Sequence, residues 1–392
     1  MTYGPLREEQ LAAVHEILAA AFATPIDRIG PWLERAGHDS VRVLDDGKRP
    51  VACLLELPMA HFLLGKRVPT VGIAGVGVGL ERRGSGEART LMDRAIAEIA
   101  EQGVALSTLY PATQTLYRRS GYERAGKLLE IRVPTFAMDP GGARDREIEV
   151  RRLGDEDAPL VEALYAETAR EQHGYLDRNR YMWDRARSPL AKTIRGFGFF
   201  AGDALEGYVY MLTEDGESGP PHHDVRLTDL AGATPRALRA ILRFFYDQRS
   251  LAEHVSFRTG PEVPVLSLMR EHRYDQELVL DWMVRVTDVE RALSARGYPR
   301  SVHTEVELDV RDEIVEKNAG RWTLCIDGDD VEVGRGGRGR AVLDVRALAP
   351  LYTGYLSATS LRRLGFLDAP DDATAALDEI FRSPMPGMCE MF

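Results

Sequence analysis

The stretch Ile73-Ala74-Gly75-Val76-Gly77-Val78-Gly79-Leu80-Glu81-Arg82-Arg83-Gly84-Ser85-Gly86-Glu87 decides how this chain folds. It reads as a strand, unusually rich in glycine, that runs into a turn holding two arginines and two glycines. A helix comes next, with Leu91, Met92, Ala95, Ile96 and Ile99 on one face. A helix start carries unpaired N–H groups and a partial positive charge, so it can hold a pyrophosphate. Glycines let the backbone come close to phosphate, and Arg82 and Arg83 add charge-assisted contacts. A tight turn in an ordinary strand–helix unit would read the same way, so the surroundings must decide.

Upstream, residues 3–6 form a short strand. Residues 9–22 carry Leu11, Val14, Ile17, Leu18 and Phe22 at helical spacing. A second helix over 27–37 contains Trp32. Strands at 41–44 and 51–57 flank Asp45-Asp46-Gly47-Lys48-Arg49-Pro50, which is hairpin chemistry. Downstream, the pattern predicts a helix over 84–100, a strand over 104–109, a short helix over 111–119 and a last strand over 130–133. Strands alternating with helices on a mixed sheet give an α/β domain over residues 1–138. Asp139-Pro140-Gly141-Gly142-Ala143-Arg144-Asp145 reads as a linker.

Beyond this linker the opening pattern restarts. Leu153 to Asp157 and a helix with Val161, Leu164 and Tyr165 echo the first segment, and two strands surround Gly202-Asp203. Thr234-Pro235 starts a helix as cap and first position. The junction Leu230-Ala231-Gly232-Ala233-Thr234 has no Arg/Gly-rich loop. Residues 139–286 therefore read as a degenerate second copy. From residue 287 the pattern changes to a third, α+β domain over 287–392. It has strands at 322–326, 331–333 and 341–345 and helices at 345–352, 357–364 and 372–381. Asp327-Gly328-Asp329-Asp330 reads as a turn, too short for a calcium loop. The run from Gly334 to Arg340 reads as a basic hairpin tip. His222-His223-Asp224, after Pro220-Pro221, reads as a loop and not as a metal cluster, so no metal is expected.

The whole chain agrees with this division. Its 392 residues suit two or three domains at roughly 150 residues each. A composition 44% hydrophobic and 28% charged excludes both disorder and a membrane bundle. No run approaches the ~20 apolar residues that cross a bilayer. The first ten residues carry Arg7, Glu8 and Glu9 and lack the apolar core of a signal peptide. A net charge of −11 argues against nucleic-acid binding and is compatible with a cationic ligand. Three distant cysteines, Cys53, Cys325 and Cys389, read as reduced thiols in a cytoplasmic protein.

A second block decides the reading of the first. Some twenty residues on stands Ser107-Thr108-Leu109-Tyr110-Pro111-Ala112-Thr113-Gln114-Thr115-Leu116-Tyr117-Arg118-Arg119-Ser120-Gly121-Tyr122-Glu123. Together the two blocks resemble the acyl-CoA signature of the Gcn5-related N-acetyltransferases (GNAT). The resemblance implies that acetyl-CoA binds Arg82, Arg83, Gly84, Ser85, Gly86 and Glu87 through its pyrophosphate, with Ala112 and Thr113 nearby. Ala74, Gly75 and Val76, on a strand that splays from its neighbour, would hold the thioester and pantetheine. Tyr117, in the pattern Tyr117…Gly121-Tyr122, would protonate the departing thiolate, and Tyr122 would pack.

A GNAT domain, a degenerate second one and a sterol-carrier-like third domain resemble the Eis ("enhanced intracellular survival") acetyltransferases, which acetylate aminoglycosides. Asp281-Trp282-Met283-Val284-Arg285-Val286 and Arg296-Gly297-Tyr298-Pro299 look like that family's junction into the third domain. The chain stops on Met388-Cys389-Glu390-Met391-Phe392. In Eis-like enzymes the last residue's carboxylate is the general base, which implies that role for Phe392. Phe22, Trp32 and Tyr110 would line the acceptor pocket, and Asp27 and Glu390 would anchor ammonium groups. A small cationic amine, no nucleic acid, no membrane and a hexamer are the implied partners. Two positions depart from the GNAT loop: Glu81 stands at its first position and Val78 where a proline is usual. They motivate the alternative, a non-catalytic CoA- or lipid-binding scaffold.

Overall fold

In the computed structural model, which describes residues 1–188 and 193–392, the deciding stretch is a strand, a 3-10 turn and a helix. The chain opens with strand β1 (Thr2–Pro5) and helices α1 (Leu11–Phe22) and α2 (Ile29–Ala36). Strands β2 (Val41–Asp45), β3 (Pro50–Leu63) and β4 (Lys66–Val78) come next, then α3 (Glu87–Glu101), β5 (Leu106–Leu109), α4 (Gln114–Arg119) and β6 (Glu123–Pro134). The second stretch has β7 (Ile148–Arg152), α5 (Ala158–Glu171), β8 (Leu176–Asp177), α6 (Arg180–Arg187), β9 (Arg195–Ala201), β10 (Ala204–Asp215), β11 (His223–Gly232), α7 (Pro235–Tyr246), β12 (Ala252–Thr259) and β13 (Asp275–Val286). The third has α8 (Val289–Ala295), β14 (His303–Arg311), β15 (Gly320–Asp327), β16 (Asp330–Arg335), β17 (Ala341–Asp344), α9 (Val345–Thr353), α10 (Ala358–Arg363), β18 (Leu367–Asp368) and α11 (Asp371–Ile380).

Two compact units result. One comprises Met1–Gly126, Asp281–Pro386 and Met391–Phe392; the other comprises Lys127–Leu280 and Gly387–Glu390. These units cut across the boundaries drawn at residues 138 and 286. In the first unit β1, β2, β3 and β4 pair antiparallel in that order, β4 pairs β5 in parallel, and β13 flanks β5 antiparallel. In the second unit β7, β9, β10 and β11 pair antiparallel, β11 pairs β12 in parallel, and β6 flanks β12 antiparallel. The two arrangements are the same. Each copy receives its last strand from the other copy's stretch of sequence, so residues 281–286 are a sheet strand as well as a junction.

Helix α3 shows why the pattern works. Leu91, Met92, Ala95, Ile96 and Ile99 are buried together against Leu54, Val71, Ile73 and Leu109 of the sheet. Fully burying a Leu, Ile or Met side chain stabilises by roughly 1.5–3 kcal/mol each. Gly103, at φ +71°, turns the chain out of the helix into β5. In the second copy Thr234 caps α7 by accepting from the Ala237 amide, with Pro235 in its first turn. The core there gathers Phe199, Val209, Val225, Ile241, Leu242 and Phe245.

Some elements differ from expectation. Pro25 leads into a 3-10 turn (Ile26–Arg28) before α2, so no single helix covers 27–37. The strand expected at 130–133 extends over all of β6. His223 opens β11, so the His222-His223-Asp224 run is part strand. The Gly334–Arg340 run is not a hairpin tip. Its flanking strands are not neighbours: β16 pairs β15, whereas β17 pairs β14 in parallel. The run crosses the faces of β15 and β14 instead, with Gly337 against Thr323 and Glu307 and Gly339 against Asp309 and Arg321. Among the described residues no helix is long and apolar enough to cross a membrane.

Candidate active site

The site forms where β4 and β5 part. Their parallel pairing runs from Thr70↔Leu106 to Ile73↔Leu109 and stops there. β5 ends at Leu109, whereas β4 continues to Val78. Just past the opening β4 is bulged. Cys53 faces Gly77 and Leu55 faces Ala74, so residues 75 and 76 together oppose Leu54. Gly75 makes the bulge possible. Its φ is +59°, and a Cβ there would lie 2.6 Å from Leu55 Cδ1 and 3.1 Å from Trp32 Cη2. The glycine content of β4 thus has a packing cause. A Cβ at Gly72 would lie 2.8 Å from Phe392 Cε2, and one at Gly77 would lie 2.9 Å from Ile17 of α1.

After β4 the 3-10 turn Leu80–Arg82 and two left-handed glycines, Gly84 (φ +86°) and Gly86 (φ +99°), lead into α3. Gly86, at the N-cap of α3, has no side chain with which to cap it. The first N–H groups of the helix therefore look for an acceptor beyond the N-cap residue. Glu87, nearly fully buried, pairs with Arg82 at 3.1 Å. Arg82 also approaches Asp46 at 4.0 Å. Arg83, Gly84, Ser85 and Gly86 are exposed. Glu81 is turned outward onto Arg49 and is half exposed, so the acid at the first loop position leaves the helix start open.

On the other side of the opening, Tyr110 directly follows β5. The Phe392 ring meets it edge-on, with centroids 5.7 Å apart. The same ring lies over Gly72 beside Met59. Ala112 and Thr113 are exposed at the start of α4. Tyr117, on α4, is 6% exposed and packs with Leu91, Met92, Ile73 and Leu109. Burial pushes its hydroxyl up to about 12, so it carries its proton throughout the neutral range. Tyr122 is fully buried and shares a 2.6 Å hydrogen bond with Ser107, which donates to the Val71 carbonyl. Arg285 of β13 fixes the turn after α4. It donates to the Ser120 carbonyl and makes a buried pair with Asp312 at 2.7 Å. Its Nε would lie 2.6 Å from a Cβ at Gly121, which explains that glycine.

Trp32 stands over the bulge, and Phe22 meets it edge-on at 5.8 Å. Asp27 is exposed on the turn between α1 and α2. The two acids read as ammonium anchors thus have different settings. Glu390 is buried in the second unit, 2.6 Å from Arg178 Nε, with Tyr165 donating to it at 2.8 Å. Its carboxylate is committed to a guanidinium of the chain. Met59 and Gly72 were missed by sequence reasoning; the glycine richness of β4 was the available signal. A candidate ligand group for a metal, Asp224, Glu253 and His254, lies in the second unit. Arg132 already serves it, 3.2 Å from Asp224 and 3.0 Å from His254 Nδ1.

Residues 2–125 match a family model described as an acetyltransferase (GNAT) domain, residues 174–286 match another acetyltransferase (GNAT) domain, and residues 289–390 match a sterol carrier protein domain. No curated protein matches the chain. Among solved structures it is similar to a GCN5-related N-acetyltransferase from Anabaena variabilis ATCC 29413, at 30% identity and a TM-score of 0.93 over 100% of both chains. It is also similar to a GCN5-related N-acetyltransferase from Kribbella flavida, at 26% identity and a TM-score of 0.85 over 100% of this chain and 98% of that one. Eis1 from Mycobacterium abscessus shares the fold, with 20% identity and a TM-score of 0.82 over 100% of both chains. The chain belongs to the GCN5-related N-acetyltransferases, as an enzyme of two tandem GNAT domains followed by a sterol-carrier-protein domain.

Proposed function

We propose that the first GNAT copy transfers the acetyl group of acetyl-CoA to a primary amine of a small cationic acceptor, of aminoglycoside or basic-peptide type. The observation that carries this reading is the bulged end of β4, paired with β3 but parted from β5, leading into a helix that starts behind two left-handed glycines. The amides from Gly84 to Glu87, with Arg82 and Arg83, would take the pyrophosphate. Ala74, Gly75 and Val76 would run beside the pantetheine arm and face the thioester.

The acceptor amine must be neutral to attack. The Phe392 carboxylate is the base in this reading, taking the amine proton directly or through one water. The amine nitrogen then bonds to the thioester carbon, and the oxygen that becomes negative is stabilised by amides of the splayed strand. The carbon–sulfur bond breaks, and Tyr117 supplies the proton that the leaving thiolate needs. Its protonated state at neutral pH suits that role. Trp32, Phe22 and Tyr110 would hold the apolar body of the acceptor, and Asp27 an ammonium group. Incubation with acetyl-CoA and a panel of amines, followed by mass spectrometry of each amine, tests the reading. Acetylated product is expected with polyamines; no transfer to any member would overturn it.

A further inference from the structure

We infer that the second GNAT copy serves to hold the chain's own segment 387–390 in the opening of its sheet, and that Arg178 acts there as a positioning residue. β11 and β12 pair in parallel from His223↔Ala252 to Arg226↔Ser256, after which β11 continues to Gly232 on its own side. This is the same kind of opening as between β4 and β5. In the first copy it belongs to the proposed transfer site; in the second the chain itself lies against it. Gly387 rests on Gly260, just past the end of β12. A Cβ on Gly387 would lie 2.4 Å from Gly260 Cα and 2.4 Å from Pro261 Cδ, so only glycine fits. The Gly387 amide donates to the His173 carbonyl at 2.9 Å, and the Met388 amide donates to the Lys127 carbonyl at 3.3 Å. Met388 is fully buried.

The segment ends on a buried ionic group. Arg178 donates from both terminal nitrogens to Asp229, at 2.5 and 2.8 Å, and from Nε to Glu390 at 2.6 Å. Asp229 lies on the part of β11 beyond its pairing with β12. Tyr208 donates to Asp229 at 2.7 Å and Tyr165 to Glu390 at 2.8 Å. The guanidinium stacks 3.7 Å above the Tyr165 ring. The three charged side chains are 2%, 4% and 7% exposed. With both terminal nitrogens fixed on Asp229, the Nε edge of the guanidinium is turned to the incoming carboxylate, which is how a fork-shaped cation selects a position. Phe392 lies two residues beyond Glu390. At no more than about 3.6 Å each, a held Glu390 keeps Phe392 within roughly 7 Å of that anchor. This last step rests on the proposed role of Phe392; the holding of the segment does not.

Glu390→Ala is the informative variant, because it leaves Arg178 paired one-to-one with Asp229 and so strands no buried charge. Hydrogen exchange on the full-length chain should show the Gly387 and Met388 amides exchanging at least tenfold faster, with the rest of the second unit unchanged. Glu390→Gln, which keeps both acceptor contacts, should restore most of the protection. Gly387→Ala should release the segment by a route that touches no charge. Unchanged exchange at residues 387 and 388 in Glu390→Ala and Gly387→Ala would overturn the inference. In activity assays Glu390→Ala should lower kcat about tenfold or more at unchanged acetyl-CoA KM. Released amides with wild-type kcat would overturn the positioning role of Arg178. The exchange measurement needs no turnover, so absence of acetyl transfer by the wild-type chain would sink the transfer reading alone.

Discussion

Gly72→Ala isolates the link between the β4 surface and the Phe392 ring. The new methyl group would sit 2.4 Å from Met59 Cε and 2.8 Å from Phe392 Cε2. Ordinary carbon contacts begin at about 3.5 Å. Met59 can swing its terminal methyl away. The phenylalanine ring must withdraw by about 0.7 Å to reach that contact distance. Gly72 is not in the left-handed region, so alanine suits its backbone and reduces the freedom of the unfolded chain, which favours folding by about 0.4–1 kcal/mol. Residual crowding works in the other direction, at about 1–3 kcal/mol before relaxation. The midpoint of thermal unfolding should therefore move by only a few degrees. Activity should change far more, because a displacement near 1 Å in a reacting group can cost about a hundredfold. The assay is steady-state release of CoA thiol from acetyl-CoA with a saturating amine. We expect kcat to fall between tenfold and a hundredfold at unchanged acetyl-CoA KM. A folded variant with wild-type kcat would refute the placement of Phe392 at the reacting centre.

Three further outcomes are expected. Tyr117→Phe should lower kcat by about 10²–10⁴-fold, the usual weight of a general acid, with little change in acetyl-CoA affinity measured by calorimetry. Gly75→Ala should weaken acetyl-CoA binding about tenfold or more, since an alanine at φ +59° costs about 1–2 kcal/mol and its methyl group meets Leu55 and Trp32; unchanged affinity would show that the bulge is dispensable. The last concerns stability. Burial, opposed by Arg42, raises the Glu56 carboxyl to about 7. A raised acid favours the folded chain at low pH, and that stabilisation is lost as pH climbs from about 4.5 to about 7, by roughly 3 kcal/mol. Glu56→Gln should flatten the denaturation-midpoint profile in that window; an unchanged slope would assign it to other groups.

Much of the first copy was legible because its signals are local. The spacing of Leu91, Met92, Ala95, Ile96 and Ile99 marks one buried helix face, and the glycines before it mark a helix start. The Tyr117…Gly121 pattern was legible as a motif. What made Gly121 necessary was Arg285, a side chain that arrives from far along the chain. Long-range pairing was the main thing hidden. Periodicity says that 281–286 can be a strand, but not that Met283 will face Leu109. The Gly334–Arg340 run misled for the same reason, because hairpin chemistry is local whereas the pairing of β17 with β14 is not. Glu390 shows a second limit. A charge near a chain end reads as solvated or ligand-facing, and only the fold brings Arg178, Asp229 and Tyr165 around it.

The most direct measurement is a crystal structure of the full-length chain grown with CoA. The expected density places the pyrophosphate on the amides from Gly84 to Glu87, the pantetheine arm along Ala74 to Val76, and the sulfur between Tyr117 and Phe392. CoA bound at the second copy, or a pyrophosphate lying away from the start of α3, would contradict acetyl transfer at the opening of β4 and β5.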